Sequence, residues 1–392
     1  MSHPSTRPRG VLPVLAAYMS FGYFWGTWSV VFLEFVGAHH FPYSRMSLYL
    51  MSLTIASMAT MILLTPRIAH LLPSVSLPLA LVLYGAGIVA MPYVNDAWLI
   101  AAFAVTGMGT GLIDVLVNQV GHGLEASSRR SVLQPVHAGY SMGAVFGALG
   151  AALILTGGGS FRTAVQIAAL LQVPSFFLCL TSPAFRGREP GERSEERMSL
   201  SAFRGNPALL ATALIVLSAF FIEGSLDVWA VTYLRATLGA GILAGAIGFA
   251  AFGVSTAVGR TFAAKILFGM GYRRTILFSG IGSVLAGALA IVAPNEWIAS
   301  LAYLILGFCL ASAGPAAFGS IQGEGTEVGV AIAAVTTIGY AGFVVGPPVM
   351  GWLADVAGIR STMVIITLAT GGILLGGFLS RTAVPERPAA GD

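Results

Sequence analysis

The chain has 392 residues, of which 56% are hydrophobic and only 9% charged, with a formal net charge of +4. Water-soluble domains carry about 25% charged residues, so a soluble enzyme is excluded and no nucleic-acid partner is expected. Apolar runs of about 20 residues recur along the whole chain, each long enough to cross a hydrocarbon core of about 30 Å as a helix. Spanning strands need only about 10 residues in strict alternation, and these runs are too long and too uniformly apolar for that.

The expected architecture is an all-α membrane protein of twelve transmembrane helices, near 11–37, 45–65, 75–92, 97–120, 131–156, 161–181, 207–235, 242–266, 274–293, 297–319, 327–353 and 360–381. Turn-forming stretches such as MPYVND (91–96) and VAPNEW (292–297) separate them. The first run follows Arg7 and Arg9 and is longer than the 7–15 residues of a signal-peptide core, so it is expected to stay in the membrane. It contains FGYFWGTWSVVFLEF (21–35), with Tyr23 and Trp28 near mid-depth. Aromatic faces suit sugar rings and, equally, amphipathic cations, so both residues are candidate substrate contacts.

Helix four carries GLIDVLVN (111–118), which places Asp114 and Asn118 on one face. Helix five opens with Gln134 and then His137, and these three polar residues, Asn118, Gln134 and His137, are candidate substrate-binding groups. Gly139, Gly143 and Gly147 recur at four-residue spacing, which lets another helix approach closely. The most polar internal stretch, 183–206, reads as a cytoplasmic linker between two six-helix bundles, 1–182 and 207–392. GYSMGAVFG (139–147) is echoed by GYAGFVVG (339–346) at the fifth position of each half, and Tyr340 in the echo is a further candidate substrate contact.

Helix seven contains FFIEGSLDVWA (220–230). Glu223 and Asp227 lie one helical turn apart, and two carboxylates this close in a low-dielectric site repel, so one is expected to hold its proton at neutral pH. Ionisable residues inside a span are costly and point to function, and Glu223, Asp227 and Asp114 are the expected proton-coupling groups. Arg260 is placed near the cytoplasmic end of helix eight. It is expected to pair with Glu324 or Glu327, from IQGEGTEVG (321–329), as an inner gate.

Lys and Arg concentrate in cytoplasmic loops. With both termini cytoplasmic, fifteen of the 20 fall on that side, four on the other, and Arg260 within the membrane. No cation is expected at the middle of a helix, which disfavours a multiply anionic substrate. Cys179 and Cys309 lie in different halves, without metal-ligand spacing. No nucleotide-binding GxxxxGK[ST] is found, so no cofactor and no catalytic residues are expected.

Twelve helices, a basic central loop and paired halves resemble the major facilitator superfamily. GR at 259–260 followed by GYRR at 271–274 resembles the second copy of the superfamily's loop motif, and GPPVMGWLADVAGIR (346–360) resembles its end of helix eleven. The first-half loop, LLTPRIAHLLP (63–73), departs from the pattern by lacking the Asp and the second Gly. GLIDVLVN and QPVH (134–137) look most like the fucose-permease-like branch. That resemblance implies an acid at Asp114 for proton-coupled sugar handling, a family Asn at Asn118, and His137 where the branch has an Asn. Glu34 is only an approximate counterpart of its helix-one acid. The expected function is secondary active transport of a small, sugar-like solute coupled to protons, by a monomer in the cell or inner membrane. The alternative is a proton antiporter exporting amphipathic or cationic compounds.

Overall fold

The structure is a computed structural model, and it describes residues 10–68, 71–128, 131–186, 200–321 and 326–380. These residues form twelve long helices: α1 Val11–His39, α2 Tyr43–Leu64, α3 Pro73–Ala90, α4 Asp96–Ser128, α5 Leu133–Thr156, α6 Phe161–Thr181, α7 Pro207–Leu238, α8 Ile242–Met270, α9 Tyr272–Val292, α10 Glu296–Gly319, α11 Thr326–Ala357 and α12 Arg360–Leu379. No strand occurs among the described residues. Eleven of the helices, α2 to α12, are apolar and long enough to cross a membrane. Helix α1 is long enough at 29 residues, and its lower hydropathy reflects its Tyr, Trp, Ser and Gly content.

Helix ends follow local chemistry. Asn206 caps α7 by accepting from the backbone N–H of Leu209 at 3.0 Å, with Pro207 in the first turn. Asn295, from the predicted turn VAPNEW, accepts from Trp297 and Ile298 at 3.1 Å each and starts α10. Gly239 closes α7 with φ 71°, a left-handed conformation that favours glycine. Helix α4 runs eight residues past its apolar segment. Its Glu125 accepts from the N–H groups of Val132 and Leu133 at 2.7 and 3.0 Å and so ties the end of α4 to the start of α5.

The chain divides into two compact units, Met1–Phe41 with Leu48–Ser194, and Pro42–Ser47 with Glu195–Asp392. In the first unit α1 packs on α5, α3 on α4 and α6, and α1 on α6. In the second, α7 packs on α11, α9 on α10 and α12, and α7 on α12. The same helix pairings recur in the same order within each unit, as the echo between helices five and eleven suggests.

The α1–α5 contact is a backbone seam. A Cβ on Gly22 would stand 2.2 Å from the Tyr140 carbonyl oxygen, and one on Gly26 1.8 Å from that of Ala144. From the other side, Gly143 and Gly147 would meet the carbonyl oxygens of Met19 and Tyr23 at 2.1 and 1.9 Å. The four-residue glycine spacing in helix five therefore serves close packing on α1. Lipid gives little hydrophobic drive between helices, so contact of this kind carries the association.

In the second unit, the first turn of α2 is held by the end of α11. The N–H groups of Tyr43 and Ser44 donate to the two carboxylate oxygens of Asp355 at 2.9 and 2.8 Å. The Tyr43 ring lies 5.5 Å from Trp229, and a Cβ on Gly351 would meet Ser47 Oγ at 2.0 Å. Asp355 thus supplies a helix N-terminus with the anion it prefers. Losing such an acceptor costs about 1 kcal/mol. Asp355→Ala should therefore speed amide hydrogen exchange at Tyr43 and Ser44 about fivefold, leaving exchange at the start of α10 unchanged. Unaltered exchange at Tyr43 and Ser44 would show that the carboxylate does not hold this turn.

Candidate functional site

Each unit buries polar groups within its spanning helices. In the first unit they converge from α1, α4 and α5. Tyr18 donates its hydroxyl to Asp114 Oδ1 at 2.8 Å. Asn118, one turn along α4, turns its Nδ2 back to the Asp114 backbone carbonyl at 2.8 Å. A carbonyl only accepts, so the amide nitrogen must face it and Oδ1 must face outward. That oxygen lies 3.0 Å from His137 Nε2, which places the imidazole proton on Nε2. The His137 ring meets the Tyr18 ring edge-on at 5.1 Å, and Tyr140 lies 5.4 Å from both Tyr18 and Phe21.

Asp114, Asn118, His137 and Tyr140 keep partial exposure, whereas Tyr18 is buried. The result is a carboxylate, a phenol, an amide and an imidazole in one contiguous arrangement, beside aromatic faces. Such a set can offer both donors and acceptors to a polar solute. The spacing of GLIDVLVN and QPVH brings Asp114, Asn118 and His137 together. Tyr18 and Tyr140 escape a reading based on charged and amide residues; the available signal is a phenol on helix one about a turn and a half before the Tyr23–Trp28 stretch, and one a turn after His137.

Other candidates fall elsewhere. Gln134 is exposed in the first turn of α5. Tyr23 is partly exposed, with its hydroxyl 2.6 Å from where a Gly150 Cβ would stand, at the α1–α5 seam. Trp28 is corrected from a substrate contact to a packing residue. It is 1% exposed, enclosed by Phe24, Phe32, Phe35 and Phe103 at centroid distances of 6.0, 6.0, 5.3 and 5.5 Å. Glu34 lies sixteen residues along α1 from Tyr18, roughly 24 Å by helix rise, so it is no part of this cluster.

In the second unit, Arg260 Nη2 donates to Glu223 Oε1 at 3.0 Å, joining α8 to α7. This revises one expectation. Helix α8 continues to Met270, so Arg260 stands ten residues from its end, roughly 15 Å along the helix, and a cation does occupy the interior of a long apolar helix. Its partner is Glu223 on α7. The expected gate partners, Glu324 and the side chain of Glu327, lie outside the described residues. Glu223 also has this guanidinium, and not Asp227 alone, to set its charge. Asp227, one turn further along α7, is partly buried. Tyr340 of α11 packs edge-on against Phe220 at 5.3 Å, and Phe343 lies 5.1 Å from Phe220 and 6.0 Å from Tyr340. Among the described residues no group of three His, Cys, Asp or Glu could hold a metal ion. Cys179 and Cys309 are free and buried.

Twelve long helices with carboxylate, imidazole and guanidinium groups held inside the spans define a multi-pass membrane protein built to handle polar solutes within the bilayer. The family model described as "Major Facilitator Superfamily" matches residues 14–324, and the chain belongs to that superfamily of transporters. It is a small-molecule transporter and not an enzyme.

An uncharacterized MFS-type transporter of Yersinia pestis is 26% identical over 267 residues, which cover 68% of each chain. The uncharacterized transporter y4wD of Sinorhizobium fredii is 24% identical over 358 residues, covering 91% of this chain and 94% of the relative. Membrane protein MosC of Rhizobium meliloti is 23% identical over 281 residues, 71% of this chain and 67% of its own. Among solved structures, the nucleoside transporter NupG superposes with a TM-score of 0.74 at 14% identity, covering 94% of this chain and 97% of the other. A bacterial homolog of the human lysosomal transporter Spinster gives 0.72 at 13% identity, covering 98% and 100%. These structural likenesses are of fold.

Proposed function

We propose that the chain is a proton-coupled secondary transporter that moves a small, polar, sugar-like solute by alternating access. The observation that carries this reading is the Asp114 arrangement: a carboxylate inside a span, bonded to Tyr18 and adjoining the Asn118–His137 pair. A membrane-interior acid binds and releases protons as its surroundings open and close to water. Hydroxyl, amide and imidazole groups beside it match the donors and acceptors of a polyhydroxy solute. The GLIDVLVN resemblance points the same way. The basic-residue bias supports cytoplasmic termini and a place in the cell or inner membrane, and the unit works as a monomer.

A second reading has Asp114 and the Tyr18, Phe21 and Tyr140 rings serving an amphipathic cation exported in exchange for protons. The rings, 5.4–5.6 Å apart around the acid's phenol partner, favour it.

Alternating access makes a direct demand on Asn118. In a background with Cys179 and Cys309 replaced, a cysteine at 118 should react with a membrane-impermeant thiol reagent from the cytoplasmic side. Solute should slow that reaction. Absence of labelling in a protein that still transports would assign this face of α4 to packing and remove the network from the pathway.

A further inference from the structure

Glu223 and Arg260 form an ion pair whose depth and openness give it more to do than join two helices. Glu223 lies at the middle of α7 and Arg260 in the middle third of α8. Both lie in the interior of helices apolar enough to cross a membrane, where an unpaired buried charge costs several kcal/mol. Yet the pair is not sealed: 29% of the Arg260 side chain and 28% of the Glu223 side chain remain exposed. Arg260 uses Nη2 on a single Glu223 oxygen, and no second contact of the guanidinium occurs among the described residues. A planar guanidinium with donors to spare accepts carboxylates two bonds at a time.

Beside the pair stands an aromatic wall. Phe220, one turn before Glu223 on the same face of α7, carries Tyr340 and Phe343 of α11 against it. A Cβ on Gly224 would meet the Phe343 ring at 2.4 Å, so this glycine lets the ring lie directly against α7 next to Glu223. All three rings keep partial exposure.

We propose that Arg260 is the binding group for a single carboxylate on the transported solute, and that the solute carries a ring or sugar framework that lies on the Phe220–Tyr340–Phe343 wall. Loading is an exchange. The solute carboxylate takes the guanidinium from Glu223, and Glu223, left without a counter-charge, takes one proton from water and becomes neutral. Release reverses both steps. At this pair one monoanion and one proton load together, so the exchange itself adds no net charge. Other titratable groups on α7 and the helices packed on it stand around the pair. Asp227 lies one turn further along α7, Lys265 more than a turn beyond Arg260, and Tyr340 in the wall itself. Tyr303 is committed to the Ala230 carbonyl at 3.3 Å, Asp355 to Tyr43 and Ser44, and Arg360 bonds Tyr233 near the end of α7.

This proposal rests on the reading of the chain as a proton-coupled transporter, and the charge of the solute separates the two. Purified protein is reconstituted in vesicles and offered glucuronate, gluconate or benzoate, each beside its neutral counterpart, glucose, sorbitol or benzamide. At least one of the acids should enter down a pH gradient, while its neutral counterpart does not. Its affinity should rise as the pH falls, because binding of the carboxylate is linked to uptake of a proton at Glu223. Glu223→Gln should remove that pH dependence. Arg260→Gln should weaken the acid about tenfold or more. Arg260→Lys, which keeps the charge and the fold, should restore part of the affinity.

Uptake of glucose, sorbitol or benzamide with protons and a net charge movement would overturn the carboxylate site while leaving proton-coupled transport intact. Binding of none of the three acids would overturn it too, as would equal affinity in wild type and Arg260→Gln. Entry of an acid without protons would overturn both.

Discussion

Gly26→Leu should leave almost no folded protein in the membrane. The added Cβ alone would lie 1.8 Å from the Ala144 carbonyl oxygen and 2.8 Å from its Cα, and these are backbone atoms that cannot rotate away. Parting α1 from α5 would also open the contacts at Gly22, Gly143 and Gly147, which belong to the same seam. Overpacking a core commonly costs 1–3 kcal/mol. Here one residue undoes a whole helix–helix interface, so the cost exceeds that range and the monodisperse yield should fall by about tenfold or more. Gly37→Ala is the matched control, because it lies in the same helix and a Cβ there meets nothing within 4 Å. It should leave yield and melting temperature unchanged or slightly higher. Equal yields for Gly26→Leu and wild type, read by size-exclusion chromatography, would mean that α1 and α5 do not meet through these backbones.

The second expected result is that Asp114→Asn folds but no longer accumulates solute. The change is isosteric, and the amide oxygen can still accept from Tyr18 as Asp114 Oδ1 does at 2.8 Å. The network should keep its shape and lose its titratable member. One pH unit is worth about 1.36 kcal/mol, which is tenfold in concentration for each proton carried. An inward gradient of one unit should therefore support about tenfold accumulation in wild type and none in Asp114→Asn, while downhill exchange continues in both. His137→Gln should be milder, lowering affinity without abolishing accumulation, because it removes a neighbour of Asn118 rather than the proton carrier.

Much of this architecture is legible in the sequence because bilayer thickness dictates it. Runs of apolar residues place the helices, and the turns between them, such as that at Asn295, carry their own caps. Hydropathy measures membrane depth and not helix length, and the departures follow from that. Helix α4 continues through GHGLEASS to Glu125 and Ser128 although its apolar run ends near 120. Helix α8 continues through AAKILFGM to Met270, which moves Arg260 from a helix end to the helix interior, where it bonds Glu223.

Within the first unit, a four-residue spacing is enough to place Asp114 beside Asn118, and the polar start of helix five brings His137 to them. Which way an aromatic points is not encoded by spacing when every face of a helix is apolar. Hence Trp28, in the richest aromatic stretch, proves to be core, while Tyr18 and Tyr140 join the polar network. Pairing between helices far apart in sequence, such as Glu223 with Arg260, depends on packing that no local pattern specifies.

The central claim is that solute and proton cross together. Its most direct measurement is the interior pH of vesicles holding the purified protein, followed with a trapped dye as glucose, glucuronate or gluconate is added outside. At least one of these should acidify the interior as it enters, at a rate that falls to the protein-free level with Asp114→Asn. Entry of a solute with no change in interior pH, in a protein whose helices are intact, would contradict the account.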